Sequence, residues 1–276
     1  MGNPYLLVYN AALTAGWGYV LFLTYKTVLS FLCYSSAAAV LLHLLLLLLP
    51  CRGYVLFLTY KTVLQEGGWT QEVFEAVDIP LKISQSAALL EVVHSAIGLV
   101  KSPVAITAMQ VASRIWCLWG IVVPCAATVI PQGLLTAGQQ AALGLPGWAN
   151  INFITLMTAW ACSEVIRYGF FALKEAFGTP PYFATWLRYT AFMVLYPLGV
   201  SSELTMAWRA LPDIKARGLF SSTLPNSWNW GFDYHLVCVL VMATYIPGLP
   251  QLYGYMLTQR KKVLGGGAAK PKAKAA

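Results

Sequence analysis

Long stretches of this chain carry almost no charged side chains, and this scarcity restricts its fold more than any other feature of the sequence. Only 10% of its 276 residues are charged and 58% are hydrophobic, whereas a soluble domain carries about 25% charged residues. So few charges cannot cover a surface that faces water. Several apolar stretches reach the roughly 20 residues that a membrane-spanning helix needs. We therefore expect lipid to be the main solvent of this protein.

Six apolar runs predict an all-α fold, a polytopic transmembrane bundle with six core helices. The predicted spans are 6–29, 83–100, 104–130, 151–173, 183–209 and 232–257. We expect residues 1–262 to form a single transmembrane helical domain, followed by a flexible basic cytosolic tail at 263–276.

An exact repeat interrupts this pattern near the N-terminus. The segment GYVLFLTYKTVL occurs at 18–29 and again at 53–64, on either side of a leucine-rich run. A structural repeat array needs at least three copies, so two identical copies indicate a local duplication or an irregularity of splicing or of the gene model. We interpret 30–64 as an insertion that adds a hydrophobic helix or hairpin to the six core helices, and we assign it no chemistry.

Basic residues set the expected orientation of the helices. The net charge is +8, and the last span is followed by Arg260, Lys261 and Lys262. Because basic residues accumulate on the cytosolic side of a membrane protein, we expect a cytosolic C-terminus, and this explains the charge better than nucleic-acid binding does. Lys272 and Lys274 also match the dilysine retrieval signal of endoplasmic reticulum membrane proteins. An ordinary flexible tail is the alternative.

The histidine and cysteine patterns argue against metal chemistry. The histidines are His43, His94 and His235, and no two lie within five residues of each other, whereas membrane hydroxylases and desaturases hold iron with histidine clusters. The sequence contains no CxxC pair, no phosphate-binding GxxxxGK[ST] loop and no GxSxG motif. We therefore expect neither a metal nor a cofactor.

An ionisable residue inside a membrane span is costly and marks a candidate functional site. In the span 183–209, Tyr196 and Glu203 are seven residues apart, so two helical turns return them to nearly the same face. Pro197 and Gly199 lie between them and favour a kink. The pair could therefore frame one buried cavity. The alternative is a kinked packing helix whose Glu203 pairs with an arginine.

Three further polar groups have mainly structural interpretations. Glu164 and Arg167 are spaced (i, i+3) on one helix face, which predicts an ion pair. Glu91 and His94 have the same spacing, and we interpret them as a structural contact. Asp233 precedes the last span, where it is placed to cap the helix and interact favourably with its dipole.

The longest motif around Tyr196 resembles a family signature. The string RYTAFMVLYPLGVSSEL at 188–204 is similar to the signature of the very-long-chain (3R)-3-hydroxyacyl-CoA dehydratases, formerly called protein-tyrosine-phosphatase-like proteins. The similarity continues in WACSEVIRYGFFALKEAFG at 160–178 and in YIPGLPQLYGYMLTQRKK at 245–262. Altogether it covers about 65–130 and 151–262 together with the first helix.

The resemblance implies a six-helix enzyme of the endoplasmic reticulum membrane, without a cofactor. Its reaction would be the third step of microsomal fatty-acid elongation, the dehydration of a very-long-chain (3R)-3-hydroxyacyl-CoA to the trans-2-enoyl-CoA. The family's catalytic tyrosine and glutamate, seven residues apart around a Pro-x-Gly, fall on Tyr196 and Glu203. The insertion 30–64 has no counterpart in the family and the stretch 124–150 is longer than its usual loop.

Elimination of water needs a base for the C2 proton and an acid for the leaving hydroxyl. We predict Glu203 as the base and Tyr196 as the proton donor, with the reverse assignment left open. Burial in an apolar site makes a carboxylate a stronger base, and a phenol is protonated at neutral pH. The residues expected to support this pair are Arg188, Tyr189, Glu164 and Arg167.

The substrate's CoA phosphates would meet basic residues at the cytosolic mouth of the bundle. The candidates are Lys101, Lys174 and Arg188. The expected partners are the acyl-CoA substrate, membrane lipid and other fatty-acid elongation enzymes. Two other functions remain open: a non-catalytic scaffold of the elongation complex, which an intact tyrosine–glutamate pair argues against, and a small-solute transporter, for which we find no inverted internal repeat.

Overall fold

The structure is a computed structural model, and helices account for most of the residues that it describes. The described residues are 3–35, 70–100, 104–135, 137–143 and 150–265. Their helices are α1 (Pro4–Ser35), α2 (Thr70–Ala87), α3 (Leu89–Ala96), α4 (Val104–Ile115), a π-helical segment (Trp116–Val122), α5 (Ala126–Val129), α6 (Ala137–Ala142), α7 (Phe153–Phe177), α8 (Tyr182–Arg188), α9 (Phe192–Arg217) and α10 (Tyr234–Leu264).

Helix α7 lies at the centre of the packing. It packs most extensively against α1 and also against α9, while α2 packs on α1 and α10 packs on α9. The largest fully buried side chains come from several of these helices and include Trp17, Leu81, Phe153, Leu156 and Met206. The apolar core therefore lies around α7. A polar side chain on α9 that faces α7 is buried inside the protein.

Local capping explains where the central helix and the last helix begin. The side chain of Asn152 accepts hydrogen bonds from the backbone N–H groups of Ile154 and Thr155, and the Thr155 hydroxyl accepts one from the backbone of Asn152. This capping box supplies partners for N–H groups that a helix start otherwise leaves unpaired. Asp233 accepts a hydrogen bond of 3.2 Å from the backbone of Leu236 at the start of α10, which confirms the predicted cap.

Within the part of the chain that the structure describes, two helices are long and apolar enough to cross a membrane, at Pro4–Thr27 and Tyr234–Leu264. The other predicted spans correspond to shorter or more polar elements, so the bundle with six core helices stays a prediction. The predicted span 83–100 is divided between the end of α2 and the short helix α3, which follows Ala88. The predicted span 104–130 consists of α4, the π-helical segment and α5.

The two ends of the predicted domain differ in how far the structure extends. Helix α1 continues through residues 30–35, whereas residues 36–64 of the insertion lie outside the described residues. At the other end, α10 runs past the predicted domain end at 262, as far as Leu264. The remainder of the predicted tail, 266–276, also lies outside the described part of the chain.

Candidate active site

Glu203 on α9 is a buried carboxylate that is held by two uncharged donors. Its side chain is only 7% exposed. The indole N–H of Trp160 on α7 donates to Oε1 at 2.8 Å, and the phenol of Tyr245 on α10 donates to Oε2 at 2.9 Å. Three helices therefore meet at this carboxylate, and each of its oxygens has one hydrogen-bond donor.

Small and hydroxyl-bearing residues hold the Glu203 segment against α7. The buried Gly199 brings α9 close to Ala159, where an added Cβ would lie 3.5 Å from the alanine methyl. One turn further along the chain, the hydroxyl of the fully buried Ser202 lies 2.9 Å from that of Thr155 on α7. These contacts fix the register between α7 and α9, so that Glu203 reaches Trp160 from the next position.

Tyr196 lies on the same side of α9 as Glu203 and faces the same neighbouring helix. Its ring stacks on that of Tyr253 of α10, with centroids 6.1 Å apart and an angle of 26° between the rings. Glu203 contacts α10 through Tyr245, and the Tyr196 side chain lies within electrostatic range of the carboxylate. The predicted pair therefore faces α10 together, although the described contacts include no hydrogen bond between its two members.

A second group of carboxylates lies about one turn further along α7, since Glu164 follows Trp160 by four residues, and here the partners are arginines. Glu164 forms ion pairs with Arg114 and Arg167, which confirms the predicted pairing of Glu164 and Arg167. Arg167 also binds Glu91, with one contact of 2.8 Å, and the Tyr168 hydroxyl donates to the same carboxylate. We call Glu91, Arg114, Glu164, Arg167 and Tyr168 the ionic cluster; its two carboxylates and two guanidiniums balance in charge.

His94 has a different partner from the one that its spacing predicts. Glu91 binds Arg167 and Tyr168, whereas His94 Nε2 lies 2.8 Å from the Tyr5 hydroxyl. The ring of Tyr9 packs edge-on against His94 with centroids 4.7 Å apart. These contacts tie α3 to α1, so the structural interpretation of His94 is retained with a different partner.

Among the described contacts, none joins the residues predicted to support the pair to Tyr196 or Glu203. Glu164 and Arg167 belong to the ionic cluster, and Arg188 lies over the rings of Phe170 and Phe171 at 5.0 and 4.6 Å. Tyr189 packs edge-on against the ring of Phe170.

Arg114 links the ionic cluster to the Glu203 site. Arg114 binds Glu164 and is within electrostatic range of Glu203. The two groups of carboxylates are therefore neighbours with separate hydrogen-bond partners.

The predicted CoA-binding residues are only partly described. Lys174 is exposed in the last turn of α7, and Arg188 ends α8, which packs on α7. Among the residues with described side chains, Arg188 has no ion-pair partner. Lys101 lies outside the described residues.

Sequence reasoning missed Trp160 and Tyr245, the two donors to Glu203. Both are uncharged aromatic residues within apolar runs, where nothing in their spacing distinguishes them from packing residues. Each begins one of the motifs at 160–178 and 245–262, so their positions in the resemblance were visible but their roles were not. Only the tertiary contact between α7, α9 and α10 reveals those roles.

Comparison with known proteins identifies the class. Residues 85–266 match the family model described as "Protein tyrosine phosphatase-like protein, PTPLA", so the chain belongs to the PTPLA family of protein tyrosine phosphatase-like proteins. No solved structure matches the chain.

Several relatives carry the name of one enzyme. Very-long-chain (3R)-3-hydroxyacyl-CoA dehydratase PASTICCINO 2A of Oryza sativa subsp. japonica is 41% identical over 70% of this chain and 79% of its own length. The dehydratase hpo-8 of Caenorhabditis elegans is 42% identical over 73% and 84%. Dehydratase 2 of Mus musculus is 33% identical over 96% of this chain and 82% of its own length.

Proposed function

We propose that this protein dehydrates very-long-chain (3R)-3-hydroxyacyl-CoA to trans-2-enoyl-CoA. Membership in a family whose relatives bear that enzyme's name supports the reaction. The observation that carries the site is the buried carboxylate of Glu203, which has two neutral donors and shares with Tyr196 the face of α9 that is turned toward α10. A carboxylate without a bound cation keeps its negative charge available for taking up a proton.

The pair can perform the elimination without a cofactor. Glu203 takes the proton as the C2–H bond breaks, and the electron pair of that bond forms the C2=C3 double bond. The C3–O bond breaks, and the oxygen leaves as water with a proton from Tyr196. Glu203 is then neutral and Tyr196 is a phenolate, so the return of one proton from the first to the second restores the site. Both carboxylate oxygens accept hydrogen bonds, which favours Glu203 as the base over the reverse assignment.

The substrate's CoA would lie at the end of the molecule where basic residues collect. Helices α9 and α10 run antiparallel, because Tyr196 contacts Tyr253 while Glu203 contacts Tyr245. The C-terminal end of α10, with its basic residues at 260–262, is therefore near the start of α9 and Arg188. Phosphates bound at this end would direct the acyl thioester along the contact between α9 and α10, toward Tyr196.

The cellular setting follows from the same proposal. We expect a multi-pass bundle of six helices in the endoplasmic reticulum membrane, with the C-terminus in the cytosol and other elongation enzymes as partners. Two apolar helices support membrane association. The basic residues at 260–262, next to the C-terminal tail, support the cytosolic orientation because they follow the last apolar stretch.

A purified-enzyme assay tests the reaction. Wild type, Tyr196→Phe and Glu203→Ala would be given 3-hydroxyacyl-CoA in detergent, and the formation of enoyl-CoA would be followed. We expect each substitution to lower kcat by roughly 10²- to 10⁴-fold, the usual contribution of a general acid or base. Tyr182→Phe is a matched control, because Tyr182 is 74% exposed on α8. Equal turnover in wild type and both site variants would reject the site, and an inactive wild type would reject the function.

A second assay tests the basic end. Replacing Lys101, Lys174 and Arg188 together by glutamine removes three positive charges, so the apparent KM for the acyl-CoA should rise while kcat changes little. The control variant removes two positive charges, those of Lys215 and Arg217, at the far end of α9. An unchanged KM in the first variant, or an equal rise in both, would exclude these residues from CoA binding.

A further inference from the structure

The donors to Glu203 differ in what they can do when the carboxylate gains a proton. An indole N–H only donates, whereas a phenol can donate or accept. Trp160 therefore requires an acceptor at Oε1 throughout the reaction. Tyr245 can donate to Oε2 while Glu203 is ionised and, after a rotation of its hydroxyl, accept from Oε2 once that oxygen is protonated.

This difference distinguishes the two oxygens of Glu203. A protonated carboxyl oxygen is a poor acceptor, so a proton on Oε1 would weaken the bond to the indole of Trp160 within a buried site. A proton on Oε2 keeps both hydrogen bonds, because Tyr245 reverses its role while Trp160 continues to donate to Oε1. Unpaired polar groups are costly where water is absent, so the second arrangement is favoured.

We propose that Trp160 and Tyr245 are positioning residues for the dehydration, and that together they direct the C2 proton of the substrate onto Oε2 of Glu203. The inference rests on the proposed function and deepens it. The proton leaves C2 as the C2–H bond breaks, forms the O–H bond at Oε2, and returns to the Tyr196 phenolate when the site resets. No further reactant is needed.

Three helices hold this one base in place. Trp160 comes from α7, Glu203 from α9 and Tyr245 from α10. The Ser202–Thr155 contact fixes α9 against α7, and the stacking of Tyr196 on Tyr253 fixes α9 against α10. The carboxylate is therefore held in one orientation before the substrate arrives, which is the preorganisation that efficient proton transfer needs.

Conservative substitutions test this role. Tyr245→Phe and Trp160→Phe remove one hydrogen bond each and keep an aromatic ring. A hydrogen bond to a charged group corresponds to a loss of roughly 10- to 100-fold in kcat when it is removed. We expect KM to stay within about twofold, since neither donor is assigned to substrate binding, and we expect the larger loss from Tyr245→Phe, because Tyr245 alone adapts to both protonation states.

Two controls match the substitutions in chemistry, and the tyrosine control also lies on the same helix as Tyr245. Tyr255→Phe lies on α10 and Trp208→Phe on α9, and these side chains are 57% and 62% exposed. Both controls should keep wild-type kcat. Size-exclusion profiles and thermal unfolding in detergent show whether each variant is folded.

A substrate carrying deuterium at C2 separates positioning from a structural defect. If the two donors assist proton removal, the C2 isotope effect on kcat in Tyr245→Phe should equal or exceed that of wild type, because C–H cleavage has become slower. A kcat within twofold of wild type, a loss confined to KM, or an isotope effect that falls to one would each overturn the inference. If Glu203→Ala and Tyr196→Phe keep full activity, the proposed site itself fails instead, and an inactive wild type would reject the proposed function.

Discussion

The protein contains two kinds of buried carboxylate, and they differ in the charge of their partners. Glu203 accepts hydrogen bonds from the neutral side chains of Trp160 and Tyr245. Glu164 is 3% exposed and is bound by the guanidiniums of Arg114 and Arg167. Both carboxylates are buried, so burial does not distinguish them. They differ because Glu164 has positively charged partners and Glu203 has neutral ones.

This contrast separates a carboxylate that can react from one that holds helices together. Arginine partners occupy the carboxylate oxygens with charged donors, so the Glu164 oxygens are engaged in holding Arg114 and Arg167. A neutral donor orients the oxygen without cancelling its charge. Glu203 is therefore suited to proton transfer, and the ionic cluster is suited to joining α3, α4 and α7.

The largest expected effect concerns activity at Glu203. Glu203→Gln keeps the size of the side chain but removes its basic oxygen, so kcat should fall by roughly 10²- to 10⁴-fold. The fall would be measured as the initial rate of enoyl-CoA formation at saturating substrate. Glu75→Gln on α2 serves as the control, since the Glu75 side chain interacts with Gln71 in an exposed position. An active Glu203→Gln variant would remove the distinction between the two carboxylates.

The next effect concerns stability at Glu164. Glu164→Gln leaves Arg114 and Arg167 with one carboxylate fewer in a buried cluster. Breaking a buried ion pair typically costs about 3–5 kcal/mol, so the free energy of unfolding should fall by that order. A titration with sodium dodecyl sulfate in mixed micelles measures it.

The same titration is applied to Glu203→Gln, and its free energy of unfolding is compared with that of Glu164→Gln. We expect its stability to change less, because no cation is left without a partner at that position. A stability loss at Glu203 as large as that at Glu164 would mean that both carboxylates are structural.

A smaller effect should follow from removing the phenol of the ionic cluster. Tyr168→Phe loses the hydrogen bond to Glu91 but keeps the ring under Arg167, whose guanidinium carbon lies 4.3 Å from the ring centroid. Because one hydrogen bond to a charged group contributes about 1.5–3 kcal/mol, the free energy of unfolding should fall by that order, and the same titration measures it. Normal kcat in the folded protein is expected, and a kcat loss like that of Tyr245→Phe would place Tyr168 in the reaction.

The smallest expected effect on stability concerns the ion pair between Asp213 and Arg217, which follows the predicted span 183–209. Desolvation tends to raise the pKa of Asp213, but the hydrogen bond and the charge of Arg217 outweigh it and hold that pKa below its ordinary value. A carboxylate with a lowered folded-state pKa stabilises the protein above its unfolded pKa, and this contribution disappears as the pH falls through the folded pKa.

Asp213→Asn should therefore lower the melting temperature slightly at pH 7 and leave it unchanged in acid, where the wild-type carboxyl is protonated too. Thermal unfolding at a series of pH values measures the difference between the two proteins. A melting-temperature difference that stays constant from neutral to acidic pH would show that the ion pair with Arg217 is not its cause.

Charge patterns predicted some of these features and could not predict others. The ion pair between Glu164 and Arg167 follows from helical spacing, because both members lie on one helix face. The partner of Glu91 could not be derived in this way, since Arg167 lies on another helix and its approach depends on how α3 packs against α7. The same limit explains the wrong pairing of Glu91 with His94.

The site shows the same division between local and tertiary information. Tyr196 and Glu203 stand out because a phenol and an acid inside an apolar run are expensive and share a face. Trp160 and Tyr245 resemble ordinary packing aromatics until the fold brings them to Glu203. The break between α2 and α3 could not be predicted from the sequence either, because it falls at Ala88, and alanine normally favours helix.

The most direct test compares turnover per mole of folded protein in Glu203→Gln and Glu164→Gln, measured side by side at a temperature where both remain folded. We expect Glu203→Gln to be folded and almost inactive, and Glu164→Gln to be less stable but to turn over 3-hydroxyacyl-CoA at a rate close to wild type. The opposite result, an active Glu203→Gln beside a folded but inactive Glu164→Gln, would contradict the assignment of Glu203 as the base.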